Sequence, residues 1–238
     1  MTGSLNSHYD DAPAGYDELR AGWLFDRRLR EVAGQLSTLR PGDTVLEVGC
    51  GTGMLLRELA GARPDLSFVG VEPIEAYVEH AQALGADIPN ATFVQGFAEQ
   101  LEELDLPPAD MVLTNDVLHH VADMDRVCAS VAAVSTEWAQ WLAIEPNPQN
   151  PWVIWYHTRT EGEALFHVRR FTRSAAAAGW TVVQRGHLFL VPQAVRTPPR
   201  ALVTAERALE RLPVLSGGTL LRLAREQAGP GTLPICRG

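Results

Sequence analysis

Lysine is missing from this chain altogether: all 20 of its basic residues are arginine, a bias that a GC-rich coding genome accounts for before any function does. Cysteine is nearly as scarce, with three in 238 residues. Cys50, Cys128 and Cys236 are odd in number and widely spaced, which suits neither a disulfide framework nor a tetrahedral zinc site. Long apolar runs are lacking too. The longest, 152–156, falls far short of the roughly 18 residues a membrane span needs, so no span is expected. The residues up to Asp11 are small, polar and acidic, without the basic start and apolar stretch of a secretory signal, and the expected location is cytoplasmic. Positive charge is in deficit, with 20 basic residues against 29 carboxylates for a net −9. A nucleic-acid partner is therefore not expected, because a phosphate backbone calls for a broad basic footprint.

What remains is an ordinary globular composition, 46% apolar and 21% charged, long enough for one large domain with a substantial core. The charge is unevenly split. Residues 1–156 hold 8 arginines against 24 carboxylates (−16), and residues 157–238 hold 12 against 5 (+7). The basic part either pairs with the acidic part across an ordinary surface or supplies arginines to an anionic substrate group.

Leu19, Trp23, Leu29, Val32, Leu36 and Leu39 recur at helical spacing, which predicts a helix over 16–39. Strands are expected at 44–48, 67–72, 91–94, 110–114 and 138–144, with helices at 54–60, 74–84 and 124–134 between them. Strands alternating with helices imply a parallel sheet covered on both faces, with ligands at the carboxyl ends of the strands. The proline-rich stretch 145–151 reads as a fixed loop at the edge of the fifth strand. Beyond it a short helix at 174–178, a strand at 181–191, an amphipathic helix at 200–212 and a seventh strand at 220–224 complete the pattern. The fold class is thus a doubly wound, mostly parallel seven-stranded α/β sheet in one domain, 1–238. Its parts are a helical cap (1–40), a core (41–145) and a substrate-side region (146–238), with a helical insertion between the last two strands that serves as a lid or an interface. Either a monomer or a homodimer is compatible with this.

The string Leu46-Glu47-Val48-Gly49-Cys50-Gly51-Thr52-Gly53 closes a strand and opens a helix. Its glycines let the backbone turn sharply and let a ligand lie against it. Glu72 ends the next strand, where a carboxylate can accept from both hydroxyls of a ribose. The spacing is G-x-G-x-G with an acid two residues ahead, not the G-x-G-x-x-G of dinucleotide sites. It resembles the first motif of the class I S-adenosylmethionine-dependent methyltransferases, E-x-G-C-G-T-G, at every position. Gly96-Phe97-Ala98-Glu99 resembles the third motif, usually G-D-A-E, with Phe97 in place of the acid. Asn115-Asp116-Val117-Leu118-His119-His120-Val121 resembles the fourth.

The resemblance implies S-adenosylmethionine as cofactor, held by Glu47, Gly49, Gly51, Gly53, Glu72, Pro73, Gly96, Phe97, Ala98 and Asn115. Tyr16, and less so Tyr9, would close over it from the N-terminal helix. It also implies methyl transfer to a small molecule, with a hydroxyl ahead of nitrogen or carbon as acceptor. Open alternatives are a related enzyme that uses the sulfonium otherwise and a non-catalytic subunit that binds the cofactor. A sulfonium methyl needs alignment and dryness more than it needs a metal. A general base helps a hydroxyl acceptor, and His119 is the candidate, with His120 expected to pack. Glu145, Asn147 and Tyr156 are the expected substrate contacts. Trp152, Trp155, Tyr156, Phe166 and Phe171 form either an apolar wall to that pocket or a core beneath the 200–212 helix.

Overall fold

The computed structural model describes residues 13–160, 164–189, 191 and 195–225; Tyr9 and Cys236 lie outside them. Seven strands make one sheet: β1 (Thr44–Val48), β2 (Ser67–Glu72), β3 (Ala91–Gln95), β4 (Ala109–Asn115), β5 (Ser135–Pro146), β6 (Trp180–Leu188) and β7 (Gly218–Arg225). Their order is β3-β2-β1-β4-β5-β7-β6. β1 to β5 pair in parallel, and β7 runs antiparallel to both of its neighbours. Every residue of β1 is buried, as a strand covered on both faces requires.

Among the described residues eight α-helices accompany the sheet: α1 (Pro13–Arg20), α2 (Trp23–Gln35), α3 (Met54–Ala62), α4 (Glu75–Leu84), α5 (Met124–Ala133), α6 (Pro151–His157), α7 (Val168–Ala177) and α8 (Arg200–Leu209). Two apolar layers result. One contains Leu46, Val71, Val112, Trp141 and Leu223; the other contains Val45, Phe68, Leu113, Leu142 and Leu220. These are alternate residues of the same strands, as a pleated sheet dictates. No helix among the described residues is long and apolar enough to cross a membrane.

Several expectations need correction. The helix expected over 16–39 is broken at Gly22, whose φ of 124° no L side chain adopts easily, so α1 turns away from α2. The expected loop 145–151 begins later. Glu145 and Pro146 remain in β5, opposite Thr219 and Gly218 of β7, and Asn150 caps α6 by accepting from the N–H groups of Trp152 and Val153. α7 starts six residues before the expected 174. The aromatic group divides: Phe166 and Phe171 are buried in the sheet core with Trp141 and Trp180, whereas Trp152, Trp155 and Tyr156 are exposed on α6. α8 is tied to α2 by buried charge, since Arg27 pairs with Glu210 at 3.1 Å and with Glu206 at 3.7 Å.

Candidate active site

Strand order reverses between β1 and β4, and a cleft opens at such a point beyond the carboxyl ends of the strands. A cavity of about 180 Å³ lies there. It is lined by Gly49 and Gly51 after β1, Glu72, Pro73, Ile74 and Tyr77 at the end of β2 and beyond, Gly96 to Glu99 after β3, and Asn115 to Val117 after β4, with His120, Val121 and Tyr16. The glycine turn has φ values of 72°, 56° and 71° at Gly49, Gly51 and Gly53. A Cβ on Gly49 would lie 2.4 Å from Val117 Cγ2, and one on Gly51 would lie 3.6 Å from the Tyr16 ring. The first glycine admits the loop after β4, and the second leaves the space between turn and cap. Gly53 serves packing, because its Cβ would meet the Phe93 ring at 2.5 Å.

Glu72 braces the turn. One carboxylate oxygen accepts from Gly51 N at 2.9 Å and the other from Ile74 N at 3.2 Å. Burial raises its pKa, and these two donors partly offset the rise. A deeper recess adjoins the cavity, lined by Tyr16, Arg20, Arg28, Glu47, Gly49, Gly51 and Asn115 among others. Within it Glu47 Oε2 and Asn115 Oδ1 are buried with no hydrogen-bond partner among the described residues. Burial, opposed by Arg28 and assisted by Glu72, pushes the Glu47 carboxyl up to about 8. Buried acceptors of this kind can receive the donors of an ammonium group.

Asp116 adopts a left-handed φ of 56° and is held from the cap. Arg28 of α2 reaches its Oδ2 at 2.7 Å and Arg20 of α1 at 3.2 Å. Burial opposes its charge, but Arg28, Arg20 and His119 outweigh that and bring it down to about 2. α1 is fastened a second time by Asp17, which accepts from Thr52 Oγ1 and pairs with Arg57 at 3.4 Å and His80 at 3.3 Å. The Tyr16 hydroxyl, buried over the cavity, has its pKa raised, mainly by desolvation.

This geometry has known counterparts. Residues 46–137 match the family profile described as Methyltransferase domain. A ubiquinone biosynthesis O-methyltransferase of Maricaulis maris is 37% identical over 114 residues, 45% of this chain and 42% of that one. The indolepyruvate C-methyltransferase of Streptomyces griseus is 35% identical over 102 residues, 40% of this chain and 30% of that one. The ribosomal RNA small subunit methyltransferase G of Mycobacterium leprae is 38% identical over 82 residues, 34% of either chain. The chain spans less than half the length of these relatives. Among solved structures, the geranyl diphosphate C-methyltransferase of Streptomyces coelicolor A3(2) superposes with a TM-score of 0.61 at 16% identity, covering 82% of this chain and 80% of that one, which bears on the fold.

Apart from Tyr16, every residue that lines the cavity falls within the matched segment. Glu72, Gly96, Phe97 and Ala98 line the cavity, and Glu47 and Asn115 lie in the adjoining recess with Arg20 and Arg28. Of the residues the sequence singles out for the cofactor, Tyr16, Gly49, Gly51, Glu72, Pro73, Gly96, Phe97, Ala98 and Asn115 line the cavity, and Glu47 lines the recess. Ile74, Tyr77, Asp116, Arg20 and Arg28 were missed, the arginines because their pairing with Asp116 spans 88 and 96 residues.

On the acceptor side the structure rearranges the expectations. Leu118–His120 is a 3₁₀ turn, in which successive side chains diverge by about 120°. Leu118 and His119 therefore point inward, and His120 is the imidazole that lines the cavity. His119 is held by Glu145, whose Oε2 lies 2.8 Å from its Nδ1. Glu145 is not a substrate contact, because its side chain is 0% exposed and it accepts from the backbone of the turn. Asn147 is not one either. Its Nδ2 donates to the carbonyls of Pro213 and Ser216, and its Oδ1 accepts from Gln149 N. Tyr156 is 44% exposed on α6 and lies outside the cavity lining.

Proposed function

We infer that the chain transfers a methyl group from S-adenosylmethionine to a hydroxyl of a small molecule. The observation that carries the donor half is the pair of unpartnered buried acceptors, Glu47 Oε2 and Asn115 Oδ1, at the base of a glycine turn whose neighbouring cavity contains Glu72. Bound there, S-adenosylmethionine supplies a sulfonium methyl that is already electrophilic. The chain's own residues do the rest. Glu72 accepts from the ribose, Glu47 and Asn115 receive the ammonium, and Tyr16 on the latched α1 keeps water out. His120, which lines the cavity with Val117 and Val121, takes a proton from the acceptor.

A small acceptor is favoured by the apolar surroundings of His120 and by the net charge of −9, which disfavours a nucleic-acid backbone. Calorimetry with S-adenosylhomocysteine tests the donor site: the wild type should bind it, and Gly51→Arg, which fills the space under Tyr16, should abolish binding. Unchanged binding in that variant would sink the site assignment. Incubation with labelled cofactor and small-molecule extracts then tests the acceptor. A product labelled on oxygen supports the reading; one labelled on carbon or nitrogen, or label appearing in RNA when total RNA is offered in a parallel incubation, overturns it.

A further inference from the structure

The Glu145 carboxylate is wholly buried at the end of β5, and its contacts are with donors. It accepts from the N–H groups of Val117 at 3.1 Å, Leu118 at 2.9 Å and His119 at 3.3 Å, and it faces Nδ1 of His119 at 2.8 Å. Three backbone donors hold it as an acceptor. This assigns the hydrogen of the fourth contact to His119 Nδ1 and leaves Nε2 as the atom that gains and loses a proton. The His119 ring lies 3.8 Å from that of His120, centroid to centroid, and meets His157 of α6 edge-on at 5.3 Å. Of these three imidazoles, His120 lines the cavity.

Resting on the methyltransferase reading above, we propose that Glu145 is a positioning residue for proton removal at the acceptor, acting through His119 on the orientation and charge of His120. The arrangement has the order of a buried carboxylate, an imidazole it fixes, and a second imidazole that meets the substrate. During transfer the oxygen–methyl bond forms as the sulfur–methyl bond breaks, with that electron pair staying on sulfur. The hydroxyl proton passes to a ring nitrogen of His120 and from there to water. Glu145 favours the protonated state of the pair it faces, because a neighbouring negative charge stabilises an imidazolium. Among the described residues, His157 of α6 meets His119, Asp116, itself neutralised by Arg20 of α1 and Arg28 of α2, acts on it electrostatically, and Glu72, Glu99, Tyr16 and Tyr77 share the cavity with His120.

The test needs no acceptor. The full chain is labelled with nitrogen-15 histidine and saturated with S-adenosylhomocysteine, and the ring resonances are assigned with His119→Gln and His120→Gln. His119 should carry its hydrogen on Nδ1 in the wild type and lose that preference in Glu145→Gln, whose amide presents a donor in turn. The titration midpoint of His120 should fall by about 1 pH unit in Glu145→Gln and recover in Glu145→Asp, which keeps the charge. If Glu145→Gln does not fold, His119→Gln carries the comparison, since it leaves the three backbone donors on Glu145. A His120 midpoint unmoved in the folded variants, with S-adenosylhomocysteine still bound, overturns the proposal. Failure of the wild type to bind S-adenosylhomocysteine, read separately by calorimetry, overturns the reading beneath it.

Discussion

Replacing Glu47 with glutamine should make the chain more stable and the cofactor site worse. The carboxyl is buried to 2% exposure, one of its oxygens has no partner among the described residues, and burial raises it from an ordinary 4.5 to about 8. At roughly 1.4 kcal/mol per pH unit, that interval places on the order of 5 kcal/mol on ionising it in the folded chain. The unfolded carboxyl titrates near its ordinary value, so between pH 4.5 and about 8 the folded state holds the extra proton. Stability then declines as pH rises through that window, and below it nothing is lost. Glutamine has no proton to lose. Urea unfolding should find Glu47→Gln close to the wild type near pH 4.5 and more stable by several kcal/mol, up to about 5, at pH 9. The bound ammonium reverses the preference, since it favours the carboxylate. Calorimetry of S-adenosylhomocysteine binding at pH 7, in buffers of different ionisation enthalpy, should show release of close to one proton by the wild type and none by the variant. Parallel stability profiles for the two chains, or equal affinity with no proton released by either, would refute the reasoning.

Asp17→Asn weakens the pairing with Arg57 and His80 while leaving an oxygen for Thr52. These contacts are partly exposed, so the global cost should stay near 1 kcal/mol. Hydrogen exchange should nevertheless find α1 less protected, and stopped-flow should find S-adenosylhomocysteine leaving several-fold faster. Asn147→Ala strands the carbonyls of Pro213 and Ser216 and should cost about 2 to 3 kcal/mol in denaturant unfolding. Affinity for S-adenosylhomocysteine should hold, because Asn147 lies outside the cavity.

Strands β1 and β2 were legible to the residue because their apolar runs are short, rich in β-branched side chains and bounded by turn signals. The cavity at the ends of β1 and β2 was legible for a related reason. Backbone conformation at Gly49 and Gly51 shapes it, which glycine spacing reports directly, and Glu72 closes the neighbouring strand. The acceptor side was not, since it depends on which way side chains face. A 3₁₀ turn at Leu118–His120 buries His119 and leaves His120 on the cavity, the reverse of the expected orientation. Continuation of β5 through Pro146 carries Glu145 from a supposed loop into the interior, where it meets donors 26 to 28 residues earlier in the chain. The start of α6 did leave a signal, Asn150 before Pro151, an N-cap followed by the proline favoured in a first turn. The grip of Arg20 and Arg28 on Asp116 left none, because no local pattern links residues so far apart.

The position of β7 has a consequence for the order in which the chain assembles. Among the described residues β6 has its sheet partner in β7 alone, and β7 lies between it and β5. As the polypeptide is synthesised, β6 emerges with an unpaired edge and waits through α8 for the strand that joins it to the rest. β1 to β5 can pair as they appear. The sheet is completed when Gly218–Arg225 slides in antiparallel between two earlier strands, a late, non-local event of the kind that slows folding and leaves an aggregation-prone intermediate. Ribosome stalling before residue 218 should therefore yield a chain whose donor-side half is protected and whose β6 is open to protease.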